Sequence, residues 1–173
     1  MKNKELVLGG GCFWCLEAAF KLLPGVVSVI PGYSGGHMEN PSYGEVCGGD
    51  TNHAEVVKVS YKPDMLGIEK LLGLFFSIHD PTSLNRQGAD AGSQYRSVVF
   101  YADKEEKQAA EQALLEQAKL YAKPIVTEIA KLEKFWPAEE EHIDYYNKNP
   151  NQGYCSFIIR PKLEKAKRFL AAN

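Results

Sequence analysis

No stretch of this chain is long and apolar enough to cross a bilayer as a helix, which takes roughly 20 residues. The N-terminus Met1-Lys2-Asn3-Lys4 is basic, but the apolar run after Glu5 is only Leu6-Val7-Leu8. That is too short for the core of a signal peptide. Basic runs are missing as well, and the net charge is −2. There is therefore no electrostatic case for nucleic acid or for a membrane surface. Cysteine is sparse: four in 173 residues cannot make a disulfide scaffold. Internal repeats and low-complexity segments are also absent. The expected compartment is the cytoplasm, where thiols stay reduced and a cysteine pair is catalytic or metal-binding rather than structural. Hydrophobic content of 45% and charged content of 24% are ordinary for a soluble globular protein. The length predicts a single domain over residues 1–173, with room for a sizeable core.

The stretch Gly9-Gly10-Gly11-Cys12-Phe13-Trp14-Cys15 organises the rest. It follows an apolar run and precedes Leu16, Ala19, Phe20 and Leu23, which recur at helical spacing. The pattern reads as strand, glycine turn, cysteine, helix. Cys12 then sits at or just before the first helical turn, where unpaired N–H groups and the helix dipole favour an anion. Its thiol is expected to ionise more easily than a free one. The glycines leave the sulfur open, and Phe13 and Trp14 predict an apolar wall beside it. The competing reading is a small buried hydrophobe.

Strands are predicted at Leu6 to Leu8, Val26 to Ile30, Glu55 to Tyr61, Ser97 to Tyr101 and Ile125 to Ile129. Helices are predicted at Phe13 to Leu23, around Ile68 to Phe76, from an Asp103/Glu106 capping pattern to about Leu120, at Ala138 to Asn147, and at Lys162 to Ala171. Cys155 to Ile159 is an apolar segment. Two polar, glycine-bearing loops, Tyr33 to Asp50 and Thr82 to Arg96, are long enough to be functional. The order suits an α+β fold: a ferredoxin-like split βαβ two-layer sandwich, with a mainly antiparallel sheet and a helical C-terminal extension. A doubly wound parallel sheet is the alternative. It is disfavoured because a loop rather than a helix joins the second and third strands.

Alternation puts Glu55 in phase with Val57, Val59 and Tyr61. A carboxyl at the end of a buried face is desolvated, stays protonated near neutrality and can donate a proton. Alternatively it lies beyond the strand edge in water, or pairs with Lys58. Tyr43 and Tyr95 are phenols in the two long loops, open to a donor role or to half-buried packing. Asp90 reads first as a turn former. His53, His79 and Cys47 read as structural. Cys12 and Cys15 form a C-x-x-C pair, which admits a thioredoxin-like dithiol or half of a zinc site. Zinc would need two further ligands, and no second C-x-x-C or His pair supplies them. Placed inside one helix, the two cysteines would have Cβ atoms about 5–6 Å apart. A disulfide wants about 3.5–4.5 Å.

With these residues assembled, the chain resembles the A-type peptide methionine sulfoxide reductases. The motifs are Gly11-Cys12-Phe13-Trp14, Gly32-Tyr33-Ser34-Gly35-Gly36, Asn40-Pro41-Ser42-Tyr43, and Gly49-Asp50-Thr51-Asn52-His53-Ala54-Glu55. They continue through His79-Asp80-Pro81-Thr82, Asn85-Arg86-Gln87-Gly88-Ala89-Asp90, Gln94-Tyr95-Arg96-Ser97, Pro137-Ala138-Glu139 with His142, Asn149-Pro150 and Gly153-Tyr154-Cys155. The resemblance implies that Cys12 is the nucleophile and that Phe13 and Trp14 cage the S-methyl group. It makes Glu55 the acid, Tyr43 and Tyr95 the donors to the sulfoxide oxygen, and Asp90 a member of the surrounding polar network. It implies reduction of the S epimer of methionine sulfoxide, free or in proteins, with thioredoxin as reductant and no metal or organic cofactor.

Cys155 matches the family's first recycling cysteine. It, rather than Cys15, is expected to resolve the Cys12 sulfenic acid, reaching it by a swing of the Asn149 to Gly153 loop. Two departures stand out: Cys15 occupies a position where many relatives carry glycine, and no cysteine follows Cys155. The rival readings are a non-catalytic thiol or metal module and a thioredoxin-like disulfide reductase.

Overall fold

The computed structural model describes residues 2–173. A six-stranded mixed sheet is built from β1 (Lys4–Gly9), β2 (Val26–Ser34), β3 (Ala54–Tyr61), β6 (Val98–Tyr101), β7 (Glu128–Lys131) and β8 (Phe135–Pro137). Its strands run in the order β7-β6-β1-β3-β2-β8. β1 pairs antiparallel with β3 and β6, and β2 with β3 and β8. Only β6 and β7 are parallel. These antiparallel centres exclude the doubly wound alternative.

Alternation decides what each strand buries. Leu6, Leu8, Val57 and Val59 join the larger core with α1 (Phe13–Phe20), α3 (Ile68–Ser77) and α6 (Arg160–Ala172). Val7, Ala54, Val56, Val98 and Phe100 form a smaller cluster, with Ala130, Leu132 and Phe135 packed against it. Helix α3 supplies Leu71, Leu72, Phe75 and Phe76 to the larger core. Helix α4 (Lys104–Ala118) starts as the capping pattern predicts. Asp103 accepts from Glu106 N at 2.8 Å, and the Glu106 carboxylate accepts from Ala102 N at 2.6 Å.

Several expectations are corrected. The first long loop carries a short helix, α2 (Tyr43–Cys47), started by a full capping box of Ser42 and Glu45. Strand β2 runs through Pro31-Gly32 to Ser34 instead of stopping at Ile30. The second loop folds into a hairpin, β4 (Arg86–Gln87) and β5 (Asp90–Ala91), followed by a 3₁₀ turn at Ser93–Tyr95. The predicted helix from Ala138 splits into a 3₁₀ turn, Glu140–His142, and α5 (Tyr145–Lys148). Asp144 between them takes a left-handed conformation, φ +58°, which a helix cannot continue through. Cys155 is not on a swinging loop. It opens a π-helical turn, Cys155–Ile159, that runs into α6, and it is 0% exposed.

β8 lies close against β2 at Gly32, which pairs with Pro137. A Cβ there would run into the Trp136 carbonyl oxygen and the Phe135 ring. Gly32→Ala is expected to destabilise the fold by about 1–3 kcal/mol, read from the urea midpoint. An unchanged midpoint would show that β8 moves aside freely.

Candidate active site

The glycine turn ends in a residue that needs φ > 0, Gly11 at +92°. Its N–H donates to Tyr95 O at 3.2 Å, tying the turn to the second long loop. Cys12 is the N-cap of α1, with extended backbone (φ −63°, ψ 129°), and its carbonyl accepts the Cys15 N–H at 3.1 Å. Cys12 is therefore outside the helix, and the helix-face estimate of its separation from Cys15 does not apply.

Glu55 arrives at the same point from β3. It is 0% exposed. Its Oε1 accepts the Phe13 N–H, the first of α1, at 3.2 Å. Its Oε2 is buried with no partner. Burial pushes its pKa up to about 8, with the charge of Asp90 adding to the rise. Glu55 is thus a neutral acid at neutral pH with one oxygen uncommitted, as its alternation with Val57 predicted.

The Cys12 thiol contradicts expectation. Its pKa is well above the ordinary cysteine value, first through burial, then through its hydrogen bond to Cys15 and the Glu55 charge. At 6% exposure the missing hydration outweighs the helix dipole. Cys15 moves the opposite way. The Cys12 hydrogen bond, the Lys162 ammonium and the Tyr154 hydroxyl outweigh its burial.

Around the thiol stands an aromatic wall. Phe13 is buried; Trp14 is half-buried. Tyr43 has its ring 6.2 Å from Phe13 and 6.3 Å from Trp14. Burial, followed by the Glu55 charge, raises the pKa of both Tyr43 and Tyr95. Both remain neutral donors. Asp90 lies one step out: its Oδ2 accepts from the Tyr154 hydroxyl at 2.6 Å. Cys47, expected to be structural, is exposed. His53 and His79 bond to neighbouring backbone, His79 also to Ser97 Oγ, and their structural reading stands.

Sequence reasoning gave no role to the groups that complete the wall. His142 Nδ1 accepts from the Trp14 indole N–H at 3.1 Å, leaving the proton on Nε2, which is buried without a partner. The Tyr145 ring stacks on Trp14 at 3.7 Å and 5°. Glu139 accepts from the Tyr33 hydroxyl at 2.9 Å and from Tyr43 N at 2.8 Å. Glu139, Glu141 and His142 bring possible metal-ligand atoms within 4.8 Å of one another. Both Glu139 oxygens and His142 Nδ1 are already committed to these internal bonds. These residues lie about a hundred or more positions from their partners, and no local spacing could have revealed them.

The raised Glu55 pKa has a consequence for stability. From about pH 4.5 to about 8 the folded state keeps a proton that the unfolded state has lost. Stability therefore falls as pH rises through that window. Glu55→Gln removes this term. Its unfolding free energy, measured against wild type, should gain a few kcal/mol between the two ends of the window. A constant difference would mean that Glu55 is ionised in the folded protein.

A family model described as peptide methionine sulfoxide reductase matches residues 4–173. A peptide methionine sulfoxide reductase MsrA of Arthrobacter sp. is 54% identical over 98% of this chain and 97% of its own. The crystal structure of reduced Mxr1 from Saccharomyces cerevisiae superposes with a TM-score of 0.85 at 36% identity, over 90% of each chain. Mxr1 in complex with Trx2 gives 0.60 at 25% identity, over 83% of this chain and 85% of that one. With the family model spanning all but the first three residues and half the positions shared with a curated relative, this chain belongs to the peptide methionine sulfoxide reductase family.

Proposed function

We propose that this chain is a peptide-methionine (S)-S-oxide reductase, reducing methionine sulfoxide, free or in proteins, and recycled by a thioredoxin. The observation that carries the reading is Glu55. It is a buried neutral carboxyl, held by one oxygen on the first N–H of α1 and with the other free, beside a thiol at the N-cap of the same helix. That pair fits a substrate that needs a nucleophile on sulfur and a proton on oxygen at once.

The sulfoxide methyl packs against Phe13 and Trp14, and its oxygen receives bonds from Tyr43 and Tyr95. Cys12 attacks the sulfur. Glu55 gives its proton to the oxygen and regains one from the Cys12 thiol. The oxygen ends on Cys12 as a sulfenic acid, and the substrate leaves as the thioether. Because burial holds Cys12 as a thiol, its proton leaves only during this step. The sulfenic acid then condenses with the Cys155 thiol, which leaves an intramolecular Cys12–Cys155 disulfide and water. Cys155 is the thiol whose disulfide the reductant opens, and Trx2 bound to the related Mxr1 supports a thioredoxin in that role.

Asp90 serves by holding Tyr154 over the site. The chain acts as one catalytic domain over 1–173. Its four central strands, β6-β1-β3-β2, with α1 and α3 as crossovers, fit the ferredoxin-like split βαβ pattern. No helix among the described residues is long and apolar enough to cross a membrane, and thiols that must be reduced each cycle suit the cytoplasm.

Cys12→Ser is expected to bring methyl sulfoxide reduction to background with the fold intact. Glu55→Gln should slow the reduction step by roughly one to a few powers of ten and remove the loss of rate as pH rises past about 8. Single-turnover release of thioether across pH reads both. An unchanged rate in the glutamine variant would refute the acid role. The methyl wall, the oxygen donors and the peptide side also make the site chiral. A racemic substrate should therefore be consumed only by half, and complete consumption would contradict that geometry.

A further inference from the structure

His142 touches both sides of the sulfoxide cradle, yet the reduction step does not use it. On the methyl side its ring lies 5.8 Å from that of Trp14 and 5.5 Å from that of Phe13. On the oxygen side it lies 4.3 Å from the Tyr43 ring. Trp14 and Tyr43 face each other at 6.3 Å and 20°.

A hydrogen bond makes this contact directional. An indole has one polar group, its N–H, and that group only donates. The Trp14 N–H donates to His142 Nδ1 at 3.1 Å. The Tyr145 ring lies parallel to the indole at 3.7 Å and 5°. Stacking alone lets a ring slide and turn within its plane; the bond to Nδ1 removes that freedom. Burial lowers the pKa of the imidazole, against the pull of Glu139 and Glu141, so Nδ1 keeps its lone pair at neutral pH.

The bond has a cost. It leaves the imidazole proton on Nε2, which is buried with no partner, a situation that folded proteins otherwise avoid. A phenylalanine would carry no such cost in an aromatic wall. It would leave the indole N–H unpaired and the indole free to turn. The backbone on either side is fixed as well. The His142 N–H donates to Glu139 O at 2.9 Å, and Asp144 N donates to both Glu17 oxygens.

We propose that His142 is a positioning residue that fits the site to a methyl group. It holds the Trp14 indole at a set distance from Tyr43, so that a sulfoxide methyl fills the gap and a longer S-alkyl group does not. The proposal rests on the reductase reading of Cys12. His142 meets neither the sulfur nor the oxygen of the substrate; it acts through Trp14 and Tyr43. One methylene in an apolar pocket is worth about 10–200-fold in discrimination. A wall that yields to the extra carbon forfeits it.

The test compares wild type, His142→Phe and His142→Asn on methionine sulfoxide and on its S-ethyl analogue, ethionine sulfoxide. Asparagine brings a carbonyl oxygen close to the place of Nδ1 and restores an acceptor for the indole. Wild type is expected to favour the methyl substrate. His142→Phe should lower kcat/KM for that substrate about tenfold, mainly through KM, and lower it less for the ethyl one. The ratio between the two then falls by about threefold or more. His142→Asn should keep the wild-type ratio. A loss shared equally by both substrates would reduce His142 to a support of the fold and overturn the proposal, as would a phenylalanine variant that changes neither. If His142→Phe does not fold, wild type supplies a second measurement. By NMR its Trp14 indole N–H should exchange with solvent about tenfold or more slowly than a free indole; exchange at the free rate overturns the proposal. A wild type that reduces neither sulfoxide would instead sink the reductase reading itself, and this proposal with it.

Discussion

The bond from Phe13 N to Glu55 Oε1 at 3.2 Å holds the site together. Helix α1 begins with unpaired N–H groups, as any helix does. Its N-cap is a cysteine, whose side chain makes no cap bond, so a polar group must come from elsewhere. β3 delivers it from 42 residues away. The position suits a carboxylate, yet burial is strong enough to keep the group protonated, with the pKa near 8. One hydrogen bond lowers that value and desolvation raises it, and the raise wins. A second N–H on Oε2 would have tipped the balance toward an ion. The unsatisfied oxygen is therefore a functional expense, of the kind that a folded core otherwise avoids.

The wall opposite depends on two further acidic side chains that sequence alone would place at the surface. Glu17 is buried in α1 and accepts Asp144 N with both oxygens, at 2.9 and 3.0 Å, while Lys21 balances its charge at 3.3 Å. Glu139 ties Tyr33 to the first turn of α2. Together they fasten the segment between β8 and α5 to the start of the chain. That fastening is what brings His142 and Tyr145 against Trp14. Part-buried, charge-assisted bonds of this sort contribute ~1.5–3 kcal/mol each. They also fix orientation, which an aromatic wall without them would not have.

What the sequence made legible was what short-range periodicity controls. The alternation of β3 gave Glu55 its face, the glycine turn placed Cys12 at the helix start, and Asp103 with Glu106 placed α4. The Ser42/Glu45 capping box was equally local and equally readable; proline and glycine nearby hid it behind a loop assignment. The helix predicted from Ala138 failed for a different reason. Its residues are adequate helix formers, but Asp144 is pulled into a left-handed turn by Glu17, a contact spanning 127 positions. Long-range bonds override propensity, and nothing within the segment announces them. Cys155 illustrates the same limit: the polar run before it reads as mobile, whereas packing of Ile159, Leu163 and Ala166 into the core extends the helix back across it.

The acidity of Cys12 turns on magnitudes that a motif does not carry. A helix N-terminus favours an anion by roughly 0.3–1 kcal/mol when exposed, and up to about 2 in good partly buried geometry. Removing a thiolate from water costs more than that, and a neighbouring carboxyl makes it worse if ionised. The position of the thiol therefore predicts its role, while its burial sets its resting state. Keeping Glu55 protonated limits the repulsion that a thiolate at Cys12 would meet as it forms. Each proton thus stays where it is needed until a sulfoxide oxygen enters to take one of them. A site with a permanently ionised thiolate would be open to oxidation by any passing oxidant, since susceptibility follows thiolate character. Holding the nucleophile as a buried thiol confines its reactivity to a bound substrate.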